Sequence, residues 1–448
     1  MAGIPKNMRS GLSPAQMLAI GGMLFSMFFG AGNLILPPLL GLQSGTSYAP
    51  AMAGFLVAGI GLPVLAIIAL ALCGGLRELA ARVHPVFAAI FVALVYLTVG
   101  PFLAIPRSAT TSFEMVRPLL PESMPFSAEV AAVIFSIVFF GIAFVLALHP
   151  GMLRDIMGKF SAPLLIVLII LLVGSAIFAP VGGAQGPMEP YDSNALAEGF
   201  LNGYQTTDLL AAMCFGIVVA VNVRESGADT PSKTVAAISA AGLIAGFLMG
   251  AIYVALGVVG VTMTSTLPDA ANGATILATT AEMHFGPAGS VLIAAIFLIA
   301  TLNVSTGLVT CCAEYFHEVC PKIPFPGWAA IFASFSCLVS LIGLDSILKL
   351  SIPFLDALYP PAIMLVLLGI FHTRADKVKL VWPCAVLTTA AISVSVAARD
   401  LFAPTMWLPT DLLPFADMGF AWVIPAILGI VVGIVLSHKQ ANKKLSQS

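Results

Sequence analysis

The chain has 448 residues, of which 59% are apolar and only 9% charged, and its mean hydropathy is +1.04. A soluble protein of this length carries about 25% charged residues, so the composition excludes a soluble enzyme, a nucleic-acid binder and a disordered scaffold. It specifies an all-α polytopic membrane protein.

The N-terminal segment carries Lys6 and Arg9 but no cleavage-type site after a short apolar core. The first apolar run is therefore expected to be retained as a span rather than removed as a signal peptide. A span needs about 20 mostly apolar residues. That length predicts twelve helices, the first six at 15–42, 49–73, 86–115, 128–148, 160–178 and 197–223. The other six are predicted at 234–262, 287–319, 327–342, 347–371, 380–398 and 419–436. Placing both termini in the cytoplasm puts Lys6, Arg9, Arg77, Arg82, Arg154, Lys159, Arg224, Lys233, Lys322, Arg374, Lys377, Lys379, Lys439, Lys443 and Lys444 inside. Arg107, Arg117, Lys349 and Arg399 fall outside, a split of 15 against 4 that satisfies the positive-inside rule. A miscounted helix would exchange the later loops and spoil it. Loops are short, and the longest outer ones, 179–195 and 264–285, contain no lysine or arginine. Residues 1–448 thus read as one membrane domain.

The first predicted span contains Phe28-Phe29-Gly30-Ala31-Gly32-Asn33 and then Pro37-Pro38. Glycines and an asparagine within an apolar helix favour local unwinding, which survives at membrane depth only beside a cavity. The sixth carries Gly203-Tyr204-Gln205-Thr206-Thr207-Asp208 where a lipid-facing helix has leucine. A carboxylate in the membrane costs at least about 2.5 kcal/mol on insertion scales and marks a pathway or an ion site. The sixth span comes five after the first, an odd offset, so the two run in opposite directions. Interrupted helices at corresponding positions of two inverted halves point to a transporter site at the midplane. The expected architecture is a 5+5 inverted repeat over 15–180 and 197–371, with helices eleven and twelve (380–436) as additions. In the eighth span, Ser305 and Thr306 are adjacent and Thr301 lies one turn earlier on the same face as Ser305. Such hydroxyls either bond back to their own helix or, with carbonyls freed near Ser26 and Phe29, form an oxygen cage for a hard cation.

The stretches Met27-Phe-Phe-Gly-Ala-Gly-Asn-Leu-Ile-Leu-Pro-Pro38, Gly100-Pro-Phe-Leu-Ala-Ile-Pro-Arg-Ser-Ala109 and Ser112-Phe-Glu114 closely resemble the branched-chain amino acid:cation symporter family of bacteria. Gly203–Asp208 with Phe215-Gly216 resembles the same family's sixth helix, and the likeness runs nearly end to end. More distantly, Gly30–Pro37 looks like the broken first helix of the leucine-transporter fold. That resemblance implies a sodium contact from the Asn33 side chain, carbonyl donors to a second sodium at Ser26 and Phe29, and hydroxyl ligands at Ser305 and Thr306. The outer-gate arginine of that fold is replaced here by Leu36; Arg107 with Asp356 is the candidate substitute pair.

The break of helix one has no charge, so its helix ends and free amides and carbonyls suit a zwitterion. An apolar remainder is expected from Phe29, Leu34 and Met213. The substrate set is thus Phe29, Gly30, Ala31, Gly32, Asn33 and Gly203 to Asp208, and the sodium set Ser26, Phe29, Asn33, Thr301, Ser305 and Thr306. By the resemblance the chain imports leucine, isoleucine and valine across the bacterial inner membrane, driven by sodium. Asp208 leaves three roles open: ammonium partner, sodium ligand, or carrier of a coupling proton. The seven cysteines show no CxxC, HExxH and GxSxG are absent, and Ser232-Lys233-Thr234 lacks the glycine of a phosphate loop. No catalytic constellation, cofactor, nucleic acid or obligate protein partner is therefore expected. A channel would favour a continuous polar pore, whereas polarity here is confined to the breaks.

Overall fold

The computed structural model describes residues 12–121, 125, 127–149, 152–227 and 230–445, so Lys6 and Arg9 lie outside the described residues. Helix α1 (Pro14–Phe28) starts at a capping box in which Ser13 Oγ accepts from the Gln16 amide while Gln16 Oε1 accepts from that of Ser13. It ends at Phe28, and α2 (Ala31–Ser44) resumes after Phe29 and Gly30, both in extended conformations. A turn at Gly45–Ser47 leads to α3 (Tyr48–Leu56), and a wider helical stretch at Val57–Gly61 carries it into α4 (Leu62–Cys73). The short α5 (Leu76–Ala81) and α6 (Pro85–Leu97) follow. Irregular backbone at Thr98–Phe102, where Gly100 leaves helical geometry beside Pro101, separates α6 from α7 (Ala104–Val116).

Helix α8 (Ala128–Ala147) is followed by a wide stretch, Arg154–Ser161, and α9 (Ala162–Phe178). Next come α10 (Tyr191–Tyr204) and α11 (Asp208–Glu225), bent by 41° at the break between them. The rest is α12 (Pro231–Thr262), α13 (Gly273–Phe285), α14 (Pro287–Val319), α15 (Phe325–Ser340), α16 (Leu344–Ile370), the single turn α17 (His372–Ala375), α18 (Val381–Phe402) and α19 (Val423–Leu445).

Among the described residues, nine helical paths are long and apolar enough to cross a membrane, or ten when α10 and α11 count as one broken span. The protein is an all-helical, multi-pass membrane protein. The count differs from the twelve expected because breaks and turns redistribute the length. Ala31–Cys73 is one path of 43 residues, whereas α1 and α15 have 15 and 16 residues, about 24 Å at most and short of a full hydrocarbon thickness. The stretch 264–285, expected to be a loop, contains α13, whose start is capped by Asn272 Oδ1 accepting from the Thr275 amide at 3.0 Å.

Helix packing relies on small residues. A Cβ on Gly41 would stand 1.9 Å from the Gly257 carbonyl oxygen, and one on Gly260 would stand 1.9 Å from that of Pro38. Helices α2 and α12 therefore touch backbone to backbone, as small residues permit in a membrane, and this fixes α2 beside the break. Large apolar side chains point outward, with Phe178 91% and Phe402 81% exposed, a surface that only lipid would cover.

Gly260→Leu should be destabilising by about 1–3 kcal/mol or more, the range for overpacking. Gly141→Leu, with nothing within 4 Å of its Cβ, is the neutral control. Size-exclusion recovery after heating of the two purified variants checks the difference.

Candidate functional site

Two helix interruptions meet inside the bundle. At the first, the Gly30 amide donates to Asn33 Oδ1 at 3.1 Å rather than to the Ser26 carbonyl one turn back. The first bond of the new helix runs from the Leu34 amide to the Gly30 carbonyl, so the amides of Ala31, Gly32 and Asn33 form the unpaired end of α2. At the second, Thr207 adopts the left-handed conformation (φ 68°), an outlier for a β-branched residue. Thr206 stabilises this turn: its hydroxyl donates to the Gly203 carbonyl at 2.8 Å and accepts from the Asp208 amide at 3.2 Å.

The breaks are joined by a buried polar cluster. Asn33 Nδ2 donates to Asp208 Oδ2 at 2.7 Å and also to the Tyr253 hydroxyl, which in turn donates to Asp208 Oδ2 at 2.8 Å. All three side chains are buried. Beside them, Arg107 Nη1 donates to the Gln205 carbonyl at 2.9 Å, and Nη2 lies 3.5 Å from both the Thr206 carbonyl and Thr207 Oγ1. A small cavity of about 10 Å³ lies between the breaks, lined by Gly30 to Asn33, Thr206 to Asp208 and Arg107, with Met27, Phe28, Ala104, Ser108, Ala211, Val304 and Leu308. That is room for about one water, so the helices are closed over the site.

Other residues expected at the site lie elsewhere. Phe29 stacks on Phe25 with ring centroids 5.2 Å apart, and Gly203 packs against Ala58. Tyr204 and Gln205 line a separate cavity of about 370 Å³ shared with Glu198, Asp356, Arg399, Asp400 and Asp411. They precede the bend, so the turn at Thr207 aims them away from the small cavity. Leu34 and Met213 are buried in the core and line neither cavity.

The cation-cage candidates also divide. Ser305 Oγ and Thr306 Oγ1 are buried and have no hydrogen-bond partner among the described residues. Their helix abuts the first break: a Cβ on Gly30 would meet Val304 at 2.8 Å, and one on Gly307 would meet Met27 at 3.1 Å. Thr301 is already engaged, bonding to the Phe297 carbonyl and to Ser112 Oγ at 2.6 Å across the α7–α14 seam. Ser26 Oγ donates to the Met157 carbonyl at 3.1 Å, leaving its main-chain carbonyl as the group that the break exposes.

The expected gate pair is not formed. Among the described residues no ion pair joins Arg107 to Asp356. Irregular backbone at Thr98–Phe102 sets α7 so that Arg107 reaches the small cavity, while Asp356 lines the large one. Sequence reasoning missed Tyr253 altogether; its only signal was a lone phenol in an apolar helix.

Residues 13–440 match the family described as branched-chain amino acid transport protein. The chain belongs to this branched-chain amino acid transport protein family. It is 40% identical over 432 residues to the branched-chain amino acid permease BrnQ of Bacillus subtilis, covering 95% of this chain and 98% of the relative. It is 38% identical to the branched-chain amino acid transport system 3 carrier protein of Pseudomonas aeruginosa, covering 93% and 94%. In fold it is similar to Mhp1, a nucleobase-cation-symport-1 family transporter in a closed conformation, with a TM-score of 0.64, 13% identity and 97% of each chain covered. The fold is thus leucine-transporter-like, and the family is one of transporters, not enzymes.

Tyr253→Phe leaves the buried Asp208 carboxylate one donor short, which should lower stability by about 1.5–3 kcal/mol. In an Asp208→Asn background the same change should have a smaller effect, because contacting residues couple. A thermal double-mutant cycle on purified protein measures that coupling.

Proposed function

We propose that the protein is a secondary active symporter that imports leucine, isoleucine and valine by alternating access, driven by a sodium gradient. The observation that carries this reading is the convergence of two helix amino ends, α2 and α11, on one buried cavity whose remaining wall is apolar apart from Arg107 and Ser108. Amides at helix starts suit a carboxylate. The Asp208 carboxylate and the carbonyls freed at the break suit an ammonium. Met27, Phe28, Val304 and Leu308 suit an aliphatic side chain. The names of the relatives support the same substrate class. One methylene in such a pocket is worth about 1–3 kcal/mol, so the three amino acids are expected to compete.

The coupling sodium binds, in this reading, between Ser305 and Thr306 on α14 and the main-chain carbonyls of Ser26 and Phe29. Two buried hydroxyls with no other partner, beside a helix break, support it. Asn33 sits between that region and Asp208. Sodium would favour the outward-open state through its differential affinity for the two states. In the proposed topology α1–α2 and α10–α11 are the broken helices of two inverted five-helix repeats. The short α1 and α15 complete twelve spans with both termini cytoplasmic in the bacterial inner membrane. The second reading is a proton-coupled symporter, favoured by one observation: Asp208 is a buried carboxylate in a two-donor cluster at the break.

Radiolabelled leucine uptake into proteoliposomes separates the two. An inward sodium gradient should drive accumulation, with valine and isoleucine competing. Ser305→Ala with Thr306→Ala should raise the sodium concentration for half-maximal uptake about tenfold or more, the loss expected for contacts to a charged group, while insertion is unchanged. Accumulation under a proton gradient alone would transfer coupling to Asp208.

A further inference from the structure

Arginine at membrane depth is costly and calls for a counter-charge. Arg107 is 3% exposed, yet among the described residues no carboxylate lies within ion-pair distance of it. Its protein partners are two backbone carbonyls and a threonine hydroxyl, and its Nε has no partner among the described residues. Asp208, the nearest candidate on the cavity wall, directs Oδ2 to Asn33 and Tyr253 instead.

The surroundings deepen the imbalance. The guanidinium lies against the first turn of α2, close enough that a Cβ on Gly32 would stand 2.8 Å from Nη2. The same cavity receives the first turn of α11 at Asp208. Helix amino ends each carry a partial positive charge of about half a unit. Two of them and a full guanidinium converge on one space, and the backbone break at Gly100–Pro101 sets the helix that brings the guanidinium there. Against them stand the carboxyl end of α10, whose last carbonyls the guanidinium caps, and the Asp208 carboxylate, whose Oδ2 is already engaged by Asn33 and Tyr253.

We propose that Arg107 binds the carboxylate of the transported substrate, between the amino ends of α2 and α11, and so restricts transport to ligands bearing a carboxylate. This rests on the amino-acid reading above and extends it, since helix amides alone would bind a carboxylate without a formal counter-charge. A guanidinium offers two parallel donors to a carboxylate, and its Nε is the donor without a protein partner. Its remaining bonds, to the Gln205 and Thr206 carbonyls at the end of α10, tie the bound substrate to the second break. Gly32 is the side-chain-free position that lets the guanidinium lie against α2.

The test is equilibrium binding in sodium to the purified, detergent-solubilised protein. L-leucine is compared with L-leucinamide, which keeps the ammonium and side chain but lacks the carboxylate. Wild-type protein should prefer leucine, and Arg107→Gln should shrink that preference about tenfold to a hundredfold, the range for a charge-assisted contact. The shrinkage should come from weaker leucine binding, with leucinamide little changed. Arg107→Lys, which keeps the charge but not the fork, should lie between, and it decides the matter if the glutamine variant does not fold. An unchanged leucine-to-leucinamide ratio in the folded variant would overturn the role of Arg107 alone. Wild-type protein that binds no leucine at all would overturn the amino-acid reading, and this role with it.

Discussion

In hydrocarbon no water is at hand to satisfy a backbone amide or carbonyl, and each one left bare costs several kcal/mol. A helix broken at membrane depth must therefore recruit side chains to the groups it frees. Asn33 captures the Gly30 amide, Thr206 captures the Asp208 amide, and Arg107 captures the Gln205 carbonyl. These polar residues are what make the two breaks possible. What they leave uncapped, the amides of Ala31, Gly32 and Asn33 at the start of α2, faces the small cavity.

The remaining architecture holds those breaks in register. Backbone contact between α2 and α12 at Gly41, Gly257 and Gly260 places Tyr253, one turn along α12, against Asn33 and Asp208. The seam of α7 with α14, closed by Ser112 and Thr301, keeps Arg107 one turn away at the cavity. Helix α14 then presents Val304 to Gly30 and Gly307 to Met27, so a single unbroken helix carries both a wall of the small cavity and the hydroxyl pair. Binding at either place would act on the same first break, which gives coupling a physical route.

Much of this was legible in the sequence where a polar residue interrupts an apolar run. Asn33 and Asp208 stand out against their neighbours, and both lie at breaks. Arg107 was equally visible, but the pairing with Asp356 expected for it is not formed. Counting residues along a straight helix places it near the end of its span, and the irregular backbone at Thr98–Phe102 invalidates that count. Tyr204 and Gln205 were grouped with Thr206 to Asp208 because they are contiguous in the chain. The left-handed turn at Thr207 separates them in space, and no residue type there signals it as a glycine would. Tyr253 sits in the apolar middle of α12, and only its distant partners give it meaning. Helix α13 was missed although Asn272 is a ready N-cap, because a stretch without lysine or arginine between two spans reads as loop.

The central claim is that substrate binds where the two broken helices meet, and a structure of the protein bound to leucine in sodium tests it most directly. The account predicts leucine between Gly30–Asn33 and Thr206–Asp208, its carboxylate facing Arg107 and its side chain toward Val304 and Leu308, with the small cavity opened to admit it. Leucine found instead in the larger cavity beside Asp356 and Arg399, with the breaks still closed on each other, would contradict it.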